Sequence, residues 1–402
     1  MRGGSGNVSV AERGTRRVAF TYISRRQWAG GYKYQLNLFA ALARHCPGRI
    51  VPVLFAAASE PVAELAPFST ISGVEVVQSE AFDRQHAGLA AAVVTGIDHG
   101  ASDAFKERRI DVVFENARFF GWRLPIPALA WFPDFQHVKL PGLFSPFARF
   151  RRDLGFRAQI ASGRSILLSS ESALADFRTV YPGVRNTVAV ARFATEPSPD
   201  LLAVDVAAAI AEHGLPKRFF YLPNQFWRHK NHPVVIEALT ILKRRGLNVV
   251  VAASGSTEEP RKSDYFGGLM REVAERGIET HFRYLGMIPL AHVYALLRSS
   301  LALINPSQFE GWSTTVEEAK SFGVPMILSD IPVHREQAGA GGRYFGLDDA
   351  EMLAKHLAAA SQSSETPAVR NLLPGLDKRV AAFALDFVAA VEQCVLRGAR
   401  RS

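Results

Sequence analysis

Short apolar runs separated by helical stretches recur along this chain, and that alternation constrains the fold more than any other feature. VAFTYIS (18–24) opens the series, followed by Gly30-Gly31 and a helical stretch from Tyr32 to Arg44. RIVPVLFAA (49–57), VEVV (74–77), DVVFEN (111–116), ALAWFPD (128–134) and SILLSSES (165–172) continue it. Strands that alternate with helices build a parallel sheet with helices on its faces. The pattern breaks at TEPSP (195–199) and again at His213 to Lys217, with one short helix, Leu201 to Glu212, between the breaks. It restarts with FFYLP (219–223), a helix over 232–245, NVVVAAS (248–254) and a helix over 264–276. FRYLG (282–286), a helix over 290–298, LALINPS (301–307), a helix over 314–322 and PMILSD (325–330) complete the second series. A last helix, Lys378 to Arg397, follows Pro374-Gly375. The expected fold class is α/β, with two doubly wound Rossmann-like domains facing a central cleft. Their expected spans are 17–197 and 198–377, after a disordered tail over 1–16 that is rich in Gly, Ser and Arg. Residues 378–402 are expected to form a helix that packs back on the first domain.

Composition narrows the partners. With 48% hydrophobic and 21% charged residues, the chain has a globular rather than a disordered balance. Residues 1–200 hold 24 basic and 17 acidic side chains, whereas residues 201–402 hold 23 and 21. The basic surplus therefore sits in the first half, where it suits an acceptor or an anionic membrane surface, or is simply solvated. No nucleic-acid motif accompanies it, so no nucleic acid is expected as a partner. Cys46 and Cys394 are too few for a disulfide framework or a zinc knuckle, which favours a reducing compartment. No apolar run approaches the roughly 18 residues of a membrane span, and the N-terminus lacks the apolar core of a signal peptide. A cytoplasmic location follows as the expectation, with peripheral contact at the inner face of the membrane.

Ligands in open α/β sheets sit beyond the carboxyl ends of the strands, so the loops there hold the candidate chemistry. The richest is INPSQFEGWSTTVEEAKSFGVPMILSD (304–330). A strand ends at Asn305-Pro306-Ser307, a loop carries Glu310, Gly311, Trp312 and Ser313, and a helix begins near Thr314. Loop amides and a helix N-terminus together make a site for an anion such as a diphosphate. Thr314 and Glu317, and likewise Thr315 and Glu318, have the three-residue spacing of a capping box. Glu310 and Glu318, eight apart, can both face the cleft and accept hydrogen bonds from sugar hydroxyls. Helix capping by Glu317 with two solvated carboxylates is the alternative.

This stretch resembles the signature of retaining, nucleotide-sugar-dependent glycosyltransferases of the GT-B class, family four, also called glycosyl transferases group one. Their pattern, PSxxEGxxxxxxEAxxxGxPVIxSD, is similar to PSQFEGWSTTVEEAKSFGVPMILSD here. The resemblance implies that Glu310 contacts the donor sugar and Glu318 the ribose hydroxyls. It also implies that the amides of Gly311, Trp312, Ser313, Thr314 and Thr315 face the sugar and the diphosphate.

A second stretch, FFYLPNQFWRHKNHPVVIEAL (219–239), places Arg228 and Lys230 in a strand-end loop. A fixed cation there would meet the charge that grows on a departing nucleotide. Lys230 matches the family's lysine, while the family's arginine position falls on Asn224, leaving Arg228 as the substitute cation. His229 and His232 suggest a metal pair without a third ligand, so loop and capping roles are expected instead. Gly30-Gly31 carries neither a P-loop nor a dinucleotide fingerprint. It resembles the family's glycine loop, which closes over the donor phosphates. In ALAWFPDFQHVKL (128–140) the family's His-Asp pair reads Pro133-Asp134, and His137 is the candidate replacement. Ser170-Glu171 resembles a serine-glutamate turn facing the cleft, and equally suits a helix N-cap. FRYLGMIP (282–289) is expected beside the base.

The chain contains no Asp-x-Asp and no Gly-x-Ser-x-Gly, which argues against a metal–diphosphate transferase and a Ser-His-Asp hydrolase. The expected function is transfer of a hexose, mannose being one candidate, from a nucleoside diphosphate sugar to a hydroxyl of a glycan or lipid-linked acceptor. Configuration is retained, and neither a cofactor nor a divalent metal is expected. Envelope polysaccharides and lipids are the acceptor class. Rival expectations are a sugar-nucleotide epimerase or phosphorylase of the same architecture, and a non-catalytic subunit that binds the nucleotide sugar.

Overall fold

A computed structural model of the chain describes residues 14–26, 28–83, 85–116, 118–258, 264–362 and 368–399. The first sheet is built from β1 (Arg16–Thr21), β2 (Ile50–Ala57), β3 (Glu75–Ser79), β4 (Val112–Asn116), β5 (Ala128–Phe132), β6 (Ser165–Leu168) and β7 (Val188–Val190). Its order is β3-β2-β1-β4-β5-β6-β7, and every pair is parallel. The second sheet comprises β8 (Phe220–Leu222), β9 (Val251–Ala253), β10 (Phe282–Tyr284), β11 (Leu303–Asn305), β12 (Met326–Ser329) and β13 (Gly342–Phe345). Its order is β10-β9-β8-β11-β12-β13, again parallel throughout.

Both sheets therefore reverse their winding direction once, between β1 and β4 and between β8 and β11. The diverging loops at such a switch point open a crevice. β4, β5 and β6 are buried at every residue, as are β8, β9, β11 and β12. Strands covered on both faces read as continuous apolar runs, which explains why they were visible in the sequence. β7 and β13 escaped for the converse reason: both lie at sheet edges and are only half-buried along most of their length.

The helix Leu376–Ala399 returns to the first domain and packs beside the helix Ala29–His45 against the first sheet. Phe383, Phe387 and Val391 enter the same core as Phe20, Leu38 and Phe114, and the Phe387 ring lies 5.8 Å from that of Phe20. Two expectations need correction. Residues 1–13 of the anticipated tail lie outside the described residues, but Arg16 begins β1. Arg17 is held there by a forked pair to Glu75 (2.7 and 2.6 Å) and by Asp111, which accepts from its amide at 2.8 Å. The anticipated single helix over 201–212 is two, Pro199–Leu202 and Val206–Glu212. The Asp205 carboxylate accepts from the amides of Ala207 and Ala208 and so starts the second one afresh.

Candidate functional site

Two loops leave the carboxyl ends of β8 and β11, on either side of the switch point of the second sheet. The first turns through the 3-10 segment Arg228–Lys230 and reverses at Asn231, whose φ of 55° is left-handed. Asn tolerates that region better than most residues, and its side chain is tied to Leu347 O at 2.8 Å. The helix His232–Arg244 then begins, with Pro233 in its first turn.

This reversal brings Lys230 to the second loop. Its Nζ lies 2.5 Å from Glu310 Oε1, and Ser307 Oγ donates to the same oxygen at 2.8 Å. The two charged side chains retain only 14% and 12% exposure, so the pair is largely removed from solvent. Burial pushes the Glu310 carboxyl upward, but the Lys230 ammonium and the neighbouring His229 outweigh it and hold the group below the usual carboxylate range. Glu310 is thus an anion poised beside one cation.

The strand ends beneath are cross-linked. Asn305 donates to Ser313 Oγ (2.9 Å) and Thr315 Oγ1 (3.2 Å), while its carbonyl oxygen accepts from the Ser307 hydroxyl (2.7 Å) and from Asn224 (3.3 Å). Asn224 is buried and bridges the two loops as a neutral group, so the cation expected at its position is supplied by no atom of that residue. Arg228 sits on the same turn as Lys230. Ser329 Oγ donates to Ser307 O at 2.5 Å, and the buried His334 Nδ1 lies 3.0 Å from Ser329 O. Burial lowers the His334 pKa to about 4 against the pull of Glu310, so the ring is neutral near pH 7. With Nδ1 facing a carbonyl, its unpartnered Nε2 presents a lone pair inside the site.

The helix Thr314–Phe322 starts at Ser313, which makes no side-chain cap. Neither anticipated capping box forms. Glu317 instead accepts from Lys320 (2.9 Å) and Gln337 (3.3 Å), and Glu318 from Lys33 (3.0 Å) and Tyr294 (3.2 Å). Glu318 is buried and Glu310 retains little exposure, so the alternative in which those two are solvated fails as well. The expectation that every amide from Gly311 to Thr315 faces a ligand is also corrected. Ser313 N donates to Gln337 Oε1 at 2.9 Å, and Gln337 returns a bond to Ser313 O at 3.0 Å. Thr314 and Thr315 occupy the first turn, where helix amides lack intrahelical acceptors and favour an anion.

The first domain closes over this loop. Gly311 lies so near the Pro133–Asp134 backbone that a Cβ would stand 2.1 Å from Pro133 O. Ser170 Oγ donates to Gly311 O (3.1 Å) while also accepting from Ala173 N, so it is both N-cap and cleft contact. Trp312 Nε1 donates to Phe193 O at 2.7 Å, which commits the ring to the domain junction. Glu336 accepts from the amides of Glu171 and Ser172, both at 3.0 Å, and so places a carboxylate at the N-terminus of the helix Glu171–Val180.

Other first-domain residues are placed differently from expectation. Gly30 and Gly31 belong to the first turn of the helix Ala29–His45, not to a loop. Their missing side chains make room for the Trp28 ring: a Cβ on Gly31 would stand 2.4 Å from it. Trp28 in turn stacks on Trp131, with centroids 5.3 Å apart. The functional group this helix sends across the cleft is Lys33, which binds Glu318. Asp134 accepts from Arg152 (2.7 Å) and from the Gln136 amide (2.9 Å). His137 is buried with its ring edge-on to Phe156, and burial lowers its pKa to about 4. The structure therefore brings Lys230, Glu310 and Ser307 together but does not join Asp134 or His137 to them. His232 stacks on Phe226 at 4.3 Å, in keeping with a packing role.

Lys33, Tyr294, Asn305, Ser307, His334 and Gln337 complete the site without having been singled out. Asn305 and Ser307 stood in the quoted strand end, and His334 follows the end of β12, where the strand-end rule directs attention. Lys33, Tyr294 and Gln337 arrive from distant segments and carry no local signal. The result is a secluded ammonium–carboxylate pair beside a helix N-terminus, able to hold an anionic leaving group against a hydroxyl-rich one.

Residues 207–370 match the sequence model of the family described as glycosyl transferases group 1. The O-antigen chain mannosyltransferase B of Escherichia coli is 32% identical over 95 residues, covering 23% of this chain and 24% of that protein. The O-antigen chain mannosyltransferase RfbU of Salmonella typhimurium is 25% identical over 133 residues, 33% of this chain and 35% of that protein. The chain thus matches only about a quarter to a third of the length of these curated relatives. Among solved structures, Anabaena HepE in complex with UDP and glucose superposes with a TM-score of 0.63 at 14% identity, over 96% of this chain and 100% of that one. The match to glycosyl transferases group 1 is thus confined to residues 207–370, while the chain as a whole has two Rossmann-like domains in the GT-B architecture.

Proposed function

We propose that the protein transfers a hexose, mannose in the first instance, from a nucleoside diphosphate sugar to a hydroxyl of a glycan or lipid-linked acceptor, with retained configuration and without a divalent metal. The observation that carries this reading is the Lys230–Glu310 pair at the switch point, beside the N-terminus of the helix Thr314–Phe322. Lys230, with Arg228 on the same turn, meets the charge that accumulates on the departing diphosphate. The amides of Thr314 and Thr315 share that load. Glu310, kept ionised by Lys230, accepts hydrogen bonds from the sugar, and Glu318 accepts them from the ribose once Lys33 yields. No side chain is assigned as a base, so the acceptor's proton passes to the leaving phosphate oxygen on the same face. The mannosyltransferase names of the two partial relatives support the choice of sugar.

Thermal unfolding in a panel of UDP-, GDP-, ADP- and TDP-sugars tests the reading, since a ligand that binds only the folded chain raises Tm. One nucleotide class is expected to raise it. In EDTA that donor should then yield a glycoside whose anomeric configuration, read by NMR, equals the donor's. Binding without turnover across acceptors would instead identify a non-catalytic nucleotide-sugar-binding subunit.

The acceptor side carries a surface suited to an anionic bilayer. Phe147, Phe150 and Leu154 are 72%, 64% and 52% exposed on the helix Pro146–Ala161. Their spacing of three and four places them on one face, with exposed Arg149, Arg151 and Arg157 on the same helix. Apolar side chains bordered by arginines suit a headgroup boundary. No helix among the described residues is long and apolar enough to cross a membrane. Co-sedimentation with vesicles containing an anionic lipid is expected, and Phe147→Ser with Phe150→Ser should abolish it. Pelleting that survives the double substitution, or equal binding to neutral vesicles, counts against this surface.

A further inference from the structure

A cluster unrelated to the cleft pair lies where the second domain begins. His213 caps the carboxyl end of the helix Val206–Glu212, and His292 lies in the first turn of the helix Leu290–Ser299. His213 Nε2 and His292 Nδ1 are 3.1 Å apart, and the Glu212 carboxylate oxygen lies 3.8 Å from His292 Nδ1. All three ligand atoms fall within 4.8 Å of one another, and the two imidazole planes meet at 77°. Both histidines are half-buried and Glu212 is exposed, which leaves an outward side open to water.

We propose that Glu212, His213 and His292 bind a zinc-class divalent cation that clamps the helix Val206–Glu212 onto the helix Leu290–Ser299. Ligands at about 2.0–2.1 Å from a tetrahedral ion stand about 3.3 Å from one another. The observed 3.1 and 3.8 Å separations lie on either side of that edge, and the third, Glu212 to His213, lies within 4.8 Å, so rotation of the exposed Glu212 side chain brings the three atoms to coordination distance. Two imidazoles and one carboxylate form a nitrogen-oxygen set that suits zinc or its first-row neighbours rather than calcium or magnesium. A water molecule completes the fourth position. The Arg283 guanidinium reaches the neighbourhood of Gly214, next to His213. Glu212 supplies the negative charge that a dication needs beside it. The ion's role is structural: it fastens the helix that connects the two sheets to the helix carrying Tyr294, and no step of sugar transfer passes through it.

The untagged full chain, stripped with EDTA and dialysed, is the material for the test. Zinc titration by calorimetry should give one ion per chain, with a saturable rise in Tm. His213→Ala and His292→Ala should each weaken binding at least tenfold and remove the Tm rise. Cobalt added to the wild type should give the intense visible absorption of a four-coordinate site. Glu212→Gln, at an exposed position, keeps the test valid if a histidine variant folds poorly, and should also weaken binding. Absence of saturable zinc binding, a pale six-coordinate cobalt spectrum, or undiminished binding by these variants would overturn the proposal. Sugar transfer enters none of these readouts, so the outcome is independent of the proposed activity.

Discussion

Lys230→Ala is expected to lower kcat by about 10²–10³-fold, because a preorganised charge aimed at a leaving group acts mainly in the transition state. Lys230→Arg should recover only part of this, since a planar guanidinium cannot place a point charge within 2.5 Å of Glu310 in the same way. The alanine variant has a second effect to separate. It leaves Glu310 secluded without its ammonium, and breaking a buried pair costs about 3–5 kcal/mol of stability. Adding Glu310→Gln removes the stranded charge, so the double variant should regain much of the denaturation midpoint while remaining inactive. Normal turnover by a folded Lys230→Ala protein would sink the assignment.

Gly311→Ala is expected to uncouple the two domains. The new methyl group would meet Pro133 O at 2.1 Å and Asp134 Cβ at 3.0 Å, and the first of these obstacles is backbone, which no rotamer change can move. The loop must then withdraw and lose the Ser170 bond to Gly311 O and the Trp312 anchor on Phe193 O. Donor binding to the second domain, followed by Tm shift, should survive. Turnover should fall by about a hundredfold, the scale on which a displacement near 1 Å acts. Global stability should drop by only roughly 1–3 kcal/mol, as for other overpacking changes. Small-angle scattering should show a more open particle. An unchanged kcat would mean that the Gly311–Pro133 contact has no part in the active arrangement.

These two tests also mark how far the sequence could be read. Lys230 and Glu310 were legible because each lies just beyond a fully buried strand, where a short apolar run and a following helix are local signals. Gly311 was legible as part of the loop after the β11 strand, but its contact with Pro133 was not, since nothing local joins positions so far apart. Gly30-Gly31 misled for a related reason. A glycine pair after a strand looks like a loop, whereas here it accommodates the Trp28 ring that stacks on Trp131, a contact made only once the sheet has formed. The capping-box spacing at Thr314 and Thr315 failed likewise, because Glu317 turns to Lys320 and Gln337, and Glu318 to Lys33 and Tyr294, rather than back to the start of the helix. For these two buried carboxylates local spacing gave way to other contacts, whereas buried Ser170 kept its N-cap while also reaching Gly311 O.

The helix Leu376–Ala399 gives the molecule a particular order of assembly. Phe383 and Phe387 fill the core under β1 and β4, yet they emerge from the ribosome only after the whole second domain. Until then the part of the first core around Phe20 and Phe114 lacks the Phe387 ring that packs on both, and contacts of such long sequence separation form slowly. The second domain can thus mature while the first waits. A nascent chain paused before residue 376 would display a sticky face of the kind that chaperones hold.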